Sequence, residues 1–204
     1  ASVPVIGATD YVKVYLDQLA PFIAGRFVSL GTDGFGRSDT RAKLRSFFEV
    51  DRYFIVVAAL KALADEGKVQ ITLNLPDTPV VIAGDSDQLS QVFTNLIENA
   101  IKYGASGKKV EVSLHLSERD PALRAPGTRI VVRDYGPGID PVHLPRLTER
   151  FYRADNHRSR ALGGTGLGLA IVKHIINRHR GRLRVESELG QGAAFTVILP
   201  LAQR

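Results

Sequence analysis

The chain has 204 residues, 27 Lys and Arg against 21 Asp and Glu, a net charge of +6, and no Cys, Met or Trp. With 44% hydrophobic and 24% charged residues it has the make-up of a folded globular protein rather than a disordered or collagenous one. The missing Cys excludes disulfides, thiolate nucleophiles and Cys-based zinc or iron–sulfur sites, and no apolar run approaches the roughly 18 residues that a membrane-spanning helix needs. The opening at Ala1 without a Met hints at a piece of something longer, and no basic stretch followed by an apolar one marks a signal peptide. The positive charge suits an anionic partner, whether nucleic acid, a membrane surface or a phosphorylated small molecule. Its densest cluster, Arg146, Arg150, Arg153, Arg158 and Arg160, is interrupted by acids and glycines, as on a solvated surface.

Residues 1–69 read as strand, helix, strand and two helices. Pro4 to Thr9 is apolar, Tyr11 to Ala24 is broadly amphipathic, and Arg26 to Gly31 is a second short apolar run. After the loop Gly31 to Gly36, Ser38 or Asp39 is a good cap for a helix reaching Phe48. Asp51 caps a second helix, rich in Ile, Val, Ala and Leu, that ends near Gly67.

From Val69 the punctuation is stronger. Val69 to Leu75 alternates apolar and polar residues as a half-buried strand does, and Val80 to Ala83 reads as another short strand. Asp85 opens a helix whose Leu89, Val92, Phe93, Leu96, Ile97, Ala100 and Ile101 recur at three- and four-residue steps, a stripe for a core. Alternating strands follow at Val110 to Leu116, Arg129 to Asp134, Arg182 to Glu188 and Ala193 to Leu199, with a helix from about Leu167 to His179. The expected class is an α/β sandwich of the α+β kind, with helices on one face of a mixed, mostly antiparallel sheet, preceded by a partial α/β segment.

Three constellations carry chemistry. In Asn95-Leu-Ile-Glu-Asn-Ala-Ile-Lys-Tyr103, Asn95 and Asn99 stand one helical turn apart; their carbonyls are hard oxygen ligands for magnesium, and Lys102 is a cation for a phosphate. The same residues also suit the wet face of an ordinary helix. Asp134-Tyr-Gly-Pro-Gly-Ile139 stands where an apolar strand ends. A carboxylate there can accept from an exocyclic amine such as that of adenine, while Gly136 and Gly138 let backbone approach a flat ring; a plain Asp/Gly/Pro turn is the alternative. Gly163-Gly-Thr-Gly-Leu-Gly168 runs into a helix, so its N–H groups and the helix dipole can hold an anion, unless it is a flexible linker. It is neither a Walker loop nor a dinucleotide fingerprint.

In this order, and with Phe151-Tyr-Arg-Ala-Asp155 between them, these segments resemble the catalytic ATP-binding domain of bacterial sensor histidine kinases, in the GHKL ATPase superfamily. Asn95 to Tyr103 resembles the N box, Asp134 to Ile139 the first glycine box, Glu149 to Asp155 the F box and Gly163 to Leu169 the second glycine box, over about two-thirds of the chain. The resemblance implies a Bergerat fold with ATP between the N-box helix and a lid formed by Asn156 to Leu162. It implies magnesium on Asn99 and Asn95, the adenine amine on Asp134, and Lys102, Tyr103 and Arg153 beside nucleotide or phosphates. Gly164, Gly166 and Gly168 would shape the phosphate site, with Thr165, Leu167, Gly136, Gly138, Ile139 and Phe151 completing the nucleotide-binding set. Glu98 is the candidate to orient or deprotonate the attacking imidazole, Asn95 being placed with it in the catalytic set. The implied cofactors are ATP and Mg2+. The implied partners are the His-containing dimerisation domain of a sensor kinase and, through it, a response regulator, with no nucleic acid, and the implied location is cytoplasmic.

That family also needs a phosphoacceptor His followed by an acid, ahead of the N box. The histidines here, His115, His143, His157, His174 and His179, all follow it and none precedes an acid, so each reads as a surface or lid residue. In place of the helical hairpin, Ala8 to Lys13, Leu30 to Arg41, Phe47 to Asp51 and Ala58 to Gly67 resemble the C-terminal domain of the thiamine-dependent, decarboxylating component of pyruvate dehydrogenase. The chain therefore reads as two domains, 1–69 and 70–204, in a chimera joined near Val69-Gln70, whether natural, engineered or arising in cloning. Gly84-Asp-Ser86 has only a superficial likeness to a thiamine-diphosphate motif, because the paired Asn expected downstream is missing. Other GHKL ATPases, a protein Ser kinase, or a non-enzymatic interaction module remain alternatives.

Overall fold

A computed structural model describes residues 3–33, 38–154 and 165–202. The chain divides into two compact units, Ala1–Glu66 and Gly67–Arg204.

In the first unit, β1 (Val5–Val12) pairs in parallel with β2 (Phe27–Thr32), Val5 opposite Phe27 and Ala8 opposite Leu30. The amphipathic stretch expected as a helix over Tyr11 to Ala24 is instead the end of β1, a single turn α1 (Val14–Asp17) and a 3-10 turn at Ala20–Phe22. The strand pairing claims Tyr11 and Val12, and Pro21 brings a ring and no N–H, which stops a helix from running through. Helix α2 (Arg41–Phe47) has Thr40, rather than Ser38 or Asp39, at its N-cap position, without a side-chain capping bond; the Asp39 carboxylate instead accepts from the Thr40 amide at 2.7 Å. In α3 (Arg52–Glu66), the Asp51 carboxylate accepts from the amides of Tyr53 at 2.9 Å and Phe54 at 3.1 Å, satisfying two donors that the first turn leaves open.

In the second unit, β3 (Gln70–Asn74), β4 (Lys109–Asp120), β5 (Ala125–Asp134), β6 (Arg182–Glu188) and β7 (Gly192–Pro200) form one sheet in the order β3-β4-β5-β7-β6. Only β3 and β4 run parallel; the other pairs are antiparallel. Val80 to Ala83 is not a strand; Ile82 alone pairs, with Leu201. On the sheet lie α4 (Ser86–Gly104) and α5 (Gly168–Arg178), which also pack on each other. The stripe expected on α4 is buried at Leu89, Val92, Leu96, Ala100 and Ile101, against Val172, Ile175 and Ile176 of α5 and the inward side chains of β5 and β7. Asp85 caps α4, its Oδ1 accepting from the amides of Asp87 and Gln88, each at 3.0 Å. Strand β6 turns Arg182, Arg184, Glu186 and Glu188 to solvent in strict alternation.

Candidate functional site

Strand β5 delivers Asp134 to the end of the sheet beside the last turn of α4, and the two elements meet at a glycine. A side chain on Gly104 would bring its Cβ to 2.4 Å from the Asp134 Cβ and 2.9 Å from its Oδ1, so only Gly lets the helix close on the carboxylate. Gly136 lies behind it and donates its N–H to Asp134 Oδ1 at 2.9 Å. Asp134 is 6% exposed. Burial pushes its carboxyl above the ordinary value, opposed by backbone N–H donors from Gly136 and Ala193. A desolvated carboxyl with an open acceptor side is suited to a neutral donor such as an aromatic amine.

Asp134 opens on a cavity of about 590 Å³. One wall is α4, whose Asn95, Glu98, Asn99, Lys102 and Tyr103 face it; Gly138, Ile139 and Arg153, then Thr165, Gly166 and Gly168 at the start of α5, complete the expected residues around it. Gly138 sits at φ +72°, and a Cβ there would come to 2.1 Å from the Glu188 carbonyl, so the turn after Asp134 requires glycine twice over. Asn95 donates from Nδ2 to the Gln91 carbonyl at 2.9 Å and turns its Oδ1 toward Gly168. Glu98 and Lys102 form an ion pair one turn apart on the cavity side of the helix.

Three expected residues do not line the cavity. Gly136 supports Asp134 from behind, Leu167 is the N-cap residue of α5, and Phe151 is 71% exposed. Phe151 holds a positive φ of 63°, and its N–H donates to the Gly166 carbonyl at 2.9 Å, fastening the F-box segment to the glycine turn before α5. Gly164 and the expected lid, Asn156 to Leu162, lie outside the described residues.

The cavity also has walls that motif reading did not assign. Pro137, Asp140, His143, Leu147, Tyr152 and Ala154 line it from the chain after Asp134, and Leu189, Ala193 and Phe195 from the turn and strand after β6. The period-two pattern of β7, which puts Ala193 and Phe195 on one face, was the available signal. His143 is not a simple surface residue: it belongs to a 3-10 segment, Pro141–Arg146, and its Nδ1 meets the Tyr152 hydroxyl at 2.6 Å. Arg153 brings Nε and Nη2, both buried, with no hydrogen-bond partner among the described residues. Buried guanidinium nitrogens without partners are costly, and an anion is the group that would satisfy them.

The donor set suits magnesium held jointly with phosphates. Two neutral carboxamides and one carboxylate line the same side of α4, and the described residues contain no group of three His, Asp or Glu able to hold a metal alone. Mg2+ keeps most of its shell for water and phosphate oxygens, so a sparse protein share fits it. No helix among the described residues is long and apolar enough to cross a membrane.

Comparison with known proteins agrees with this geometry. Residues 84–203, more than half of the chain, match the family described as histidine kinase-, DNA gyrase B-, and HSP90-like ATPase. The phosphate regulon sensor protein PhoR of Pseudomonas aeruginosa is 43% identical over 132 residues, 64% of this chain and 28% of that protein. The mycobacterial sensor histidine kinase MprB has a solved structure matching at a TM-score of 0.57 and 30% identity, over 73% of this chain and 95% of that one. The pyruvate dehydrogenase E1 component of Cupriavidus necator is 67% identical over 66 residues, 32% of this chain and 7% of that protein. The chain spans only part of its full-length curated relatives, 25% of the sensor histidine kinase WalK of Bacillus subtilis and 37% of the sensor-like histidine kinase SenX3 of Mycobacterium bovis. The five-stranded, mostly antiparallel sheet under two helices is a Bergerat fold, and the chain belongs to the histidine kinase-, gyrase B- and HSP90-like ATPase family.

Proposed function

We propose that residues 67–204 bind Mg-ATP in the α4 cavity and present its γ-phosphate to a histidine on a dimerisation domain of a sensor kinase, from which a response regulator would be charged. The observation that carries this reading is one cavity lined by both a buried carboxyl, Asp134, and an orphaned guanidinium, Arg153. The first suits the adenine amine and the second a phosphate. Thr165, Gly166 and Gly168, before and at the N-terminus of α5, suit the phosphates as well, through N–H groups and helix dipole.

Asn99 and Asn95 would hold magnesium, which when bound neutralises charge on the phosphates. This chain's residues then bind and orient. Lys102 and Arg153 balance the triphosphate, and Tyr103, Ile139 and Leu147 offer apolar surface for the base. Glu98 is the base assigned to the incoming imidazole: as its nitrogen bonds to the γ-phosphorus, the bond to the bridging β-oxygen breaks, ADP leaves, and the imidazole proton passes to the carboxylate. Lys102, paired with Glu98, would hold that carboxylate aimed. None of the five histidines in the sequence is followed by an acid, so the acceptor belongs to a separate domain.

The test is calorimetric titration with ADP and magnesium, beside Asp134→Asn. Micromolar binding that the variant weakens by about 1–3 kcal/mol supports the reading. No binding at millimolar nucleotide would refute it.

A further inference from the structure

The cavity contains a side-chain pair that nucleotide binding as proposed above does not use. His143, in the 3-10 segment after Asp140, meets the Tyr152 hydroxyl through Nδ1 at 2.6 Å across a separation of nine residues. Both line the cavity. The Tyr152 ring is held on a second side by the Arg146 guanidinium, 4.3 Å from its centroid, and Arg146 is fixed in turn by Glu149 at 3.2 Å. Tyr152 is thus held by its hydroxyl and by its face. The next residue is Arg153, with Nε and Nη2 buried and without a hydrogen-bond partner among the described residues. On the other side of Tyr152, Phe151 is held in a left-handed conformation with its N–H on the Gly166 carbonyl. A bulky residue at positive φ is strained and persists only where its surroundings over-determine it.

These contacts converge on one outcome. A long Arg side chain loses considerable rotamer freedom when immobilised, and an unpaired guanidinium would ordinarily swing to water. We propose that His143 is a positioning residue for the phosphate site. Its bond to the Tyr152 hydroxyl, with the Phe151–Gly166 link on the other side, fixes the backbone from which Arg153 projects and keeps the guanidinium in place before the anion arrives. His143 itself does not touch the phosphate; it acts through Tyr152 and Arg153. The inference rests on the nucleotide reading of the cavity, since the anion supplied by ADP is what Arg153 awaits.

The test is a double-mutant cycle on ADP–magnesium affinity in the full chain. His143→Leu should weaken ADP binding by roughly three- to tenfold. His143→Asn, whose amide can occupy the place of Nδ1, should restore most of the loss. In an Arg153→Lys background, where the fork of donors is gone, His143→Leu should have almost no further effect. Equal losses from His143→Leu in both backgrounds would reduce His143 to a general structural role and overturn the proposal, as would an unchanged affinity. If His143→Leu does not fold, Tyr152→Phe removes the same bond with one atom changed and is read by the same criteria. Failure of the unsubstituted protein to bind ADP would instead sink the nucleotide reading itself.

Discussion

The amide of Asp85 donates to Nε2 of His179 at 3.0 Å, and the other ring nitrogen of His179 donates to the Ile175 carbonyl at 2.8 Å. One imidazole therefore ties the N-terminus of α4 to the C-terminus of α5, while Asn95 and Gly168 bring the same helices together farther along. Both helices carry cavity residues. His179→Ala should lower stability by about 1 kcal/mol, read by urea denaturation. ADP affinity at saturating folded protein should change little, because the pin lies at the end of α5 away from the cavity.

Asp134→Asn separates stability from binding. Burial raises the Asp134 carboxyl pKa, so between its ordinary value and the raised one the folded state binds the extra proton. Its contribution to stability is therefore present at low pH and is lost as pH rises through the raised value. Asparagine carries no such charge. The variant should be as stable as the parent or more so at neutral pH, with a flatter pH profile in thermal melts, while ADP binding falls. In the parent, ADP affinity should drop as pH falls through the raised value, since the protonated carboxyl is a poorer acceptor for the amine.

Gly104→Ala tests the close approach of α4 to β5. Its Cβ would overlap the Asp134 Cβ at 2.4 Å, an atom anchored to backbone rather than a flexible tip. The carboxyl must move away, so the variant should lose about 1–3 kcal/mol of stability and lose ADP binding to at least the extent that Asp134→Asn does. Denaturant melts and calorimetry report the two effects separately.

In the first unit, Arg45 and then Arg41 hold the Asp10 carboxyl down to about 2 from an ordinary 3.8. Arg45 bonds both carboxylate oxygens, at 2.7 and 2.8 Å. A depressed carboxyl stabilises the fold above its unfolded pKa, and that contribution is lost as pH falls from about 3.8 toward 2. Carbon-detected NMR titration should place Asp10 near 2 in the parent. Arg45→Ala should raise it more than Arg41→Ala does.

The parts of this fold legible in the sequence were those where one physical signal dominated. The stripe of α4 and the alternation of β6 gave those elements nearly to the residue, because periodic burial leaves a periodic pattern. Strand β5 begins at Ala125 rather than Arg129, since Pro126-Gly127 looks like a turn but lies in the ladder, Gly127 pairing with Ser117 and Pro200. Long-range hydrogen bonding overrode a local cue there. The 3-10 segment Pro141–Arg146 was hidden for a similar reason: Pro141 and Pro145 break any helical period.

Of the site, the residues on α4, Asp134 and the glycines near α5 were visible because each belongs to a short contiguous motif. His143 and Leu189 were not, because they reach the cavity through tertiary folding, from a segment with no period and from the turn between β6 and β7; Phe195 carried a period-two signal, but only the pairing of β7 beside β5 brings it to the cavity. Phe151 shows the converse. A motif residue by sequence, it serves by its backbone N–H and positive φ, which no side-chain pattern records.

Strand β6 forms one border of the five-stranded sheet, and a border strand is where sheets of separate molecules can fuse. Its outward Arg182, Arg184, Glu186 and Glu188 place two positive charges and then two negative ones along that rim. Another β6 laid alongside in the same direction would meet like charge opposite like. One laid antiparallel would set opposite charges across from one another. The rim thus opposes the parallel pairing alone, and neutralising it should remove that discrimination, showing first as turbidity on concentrating the protein, well before any change in its melting behaviour.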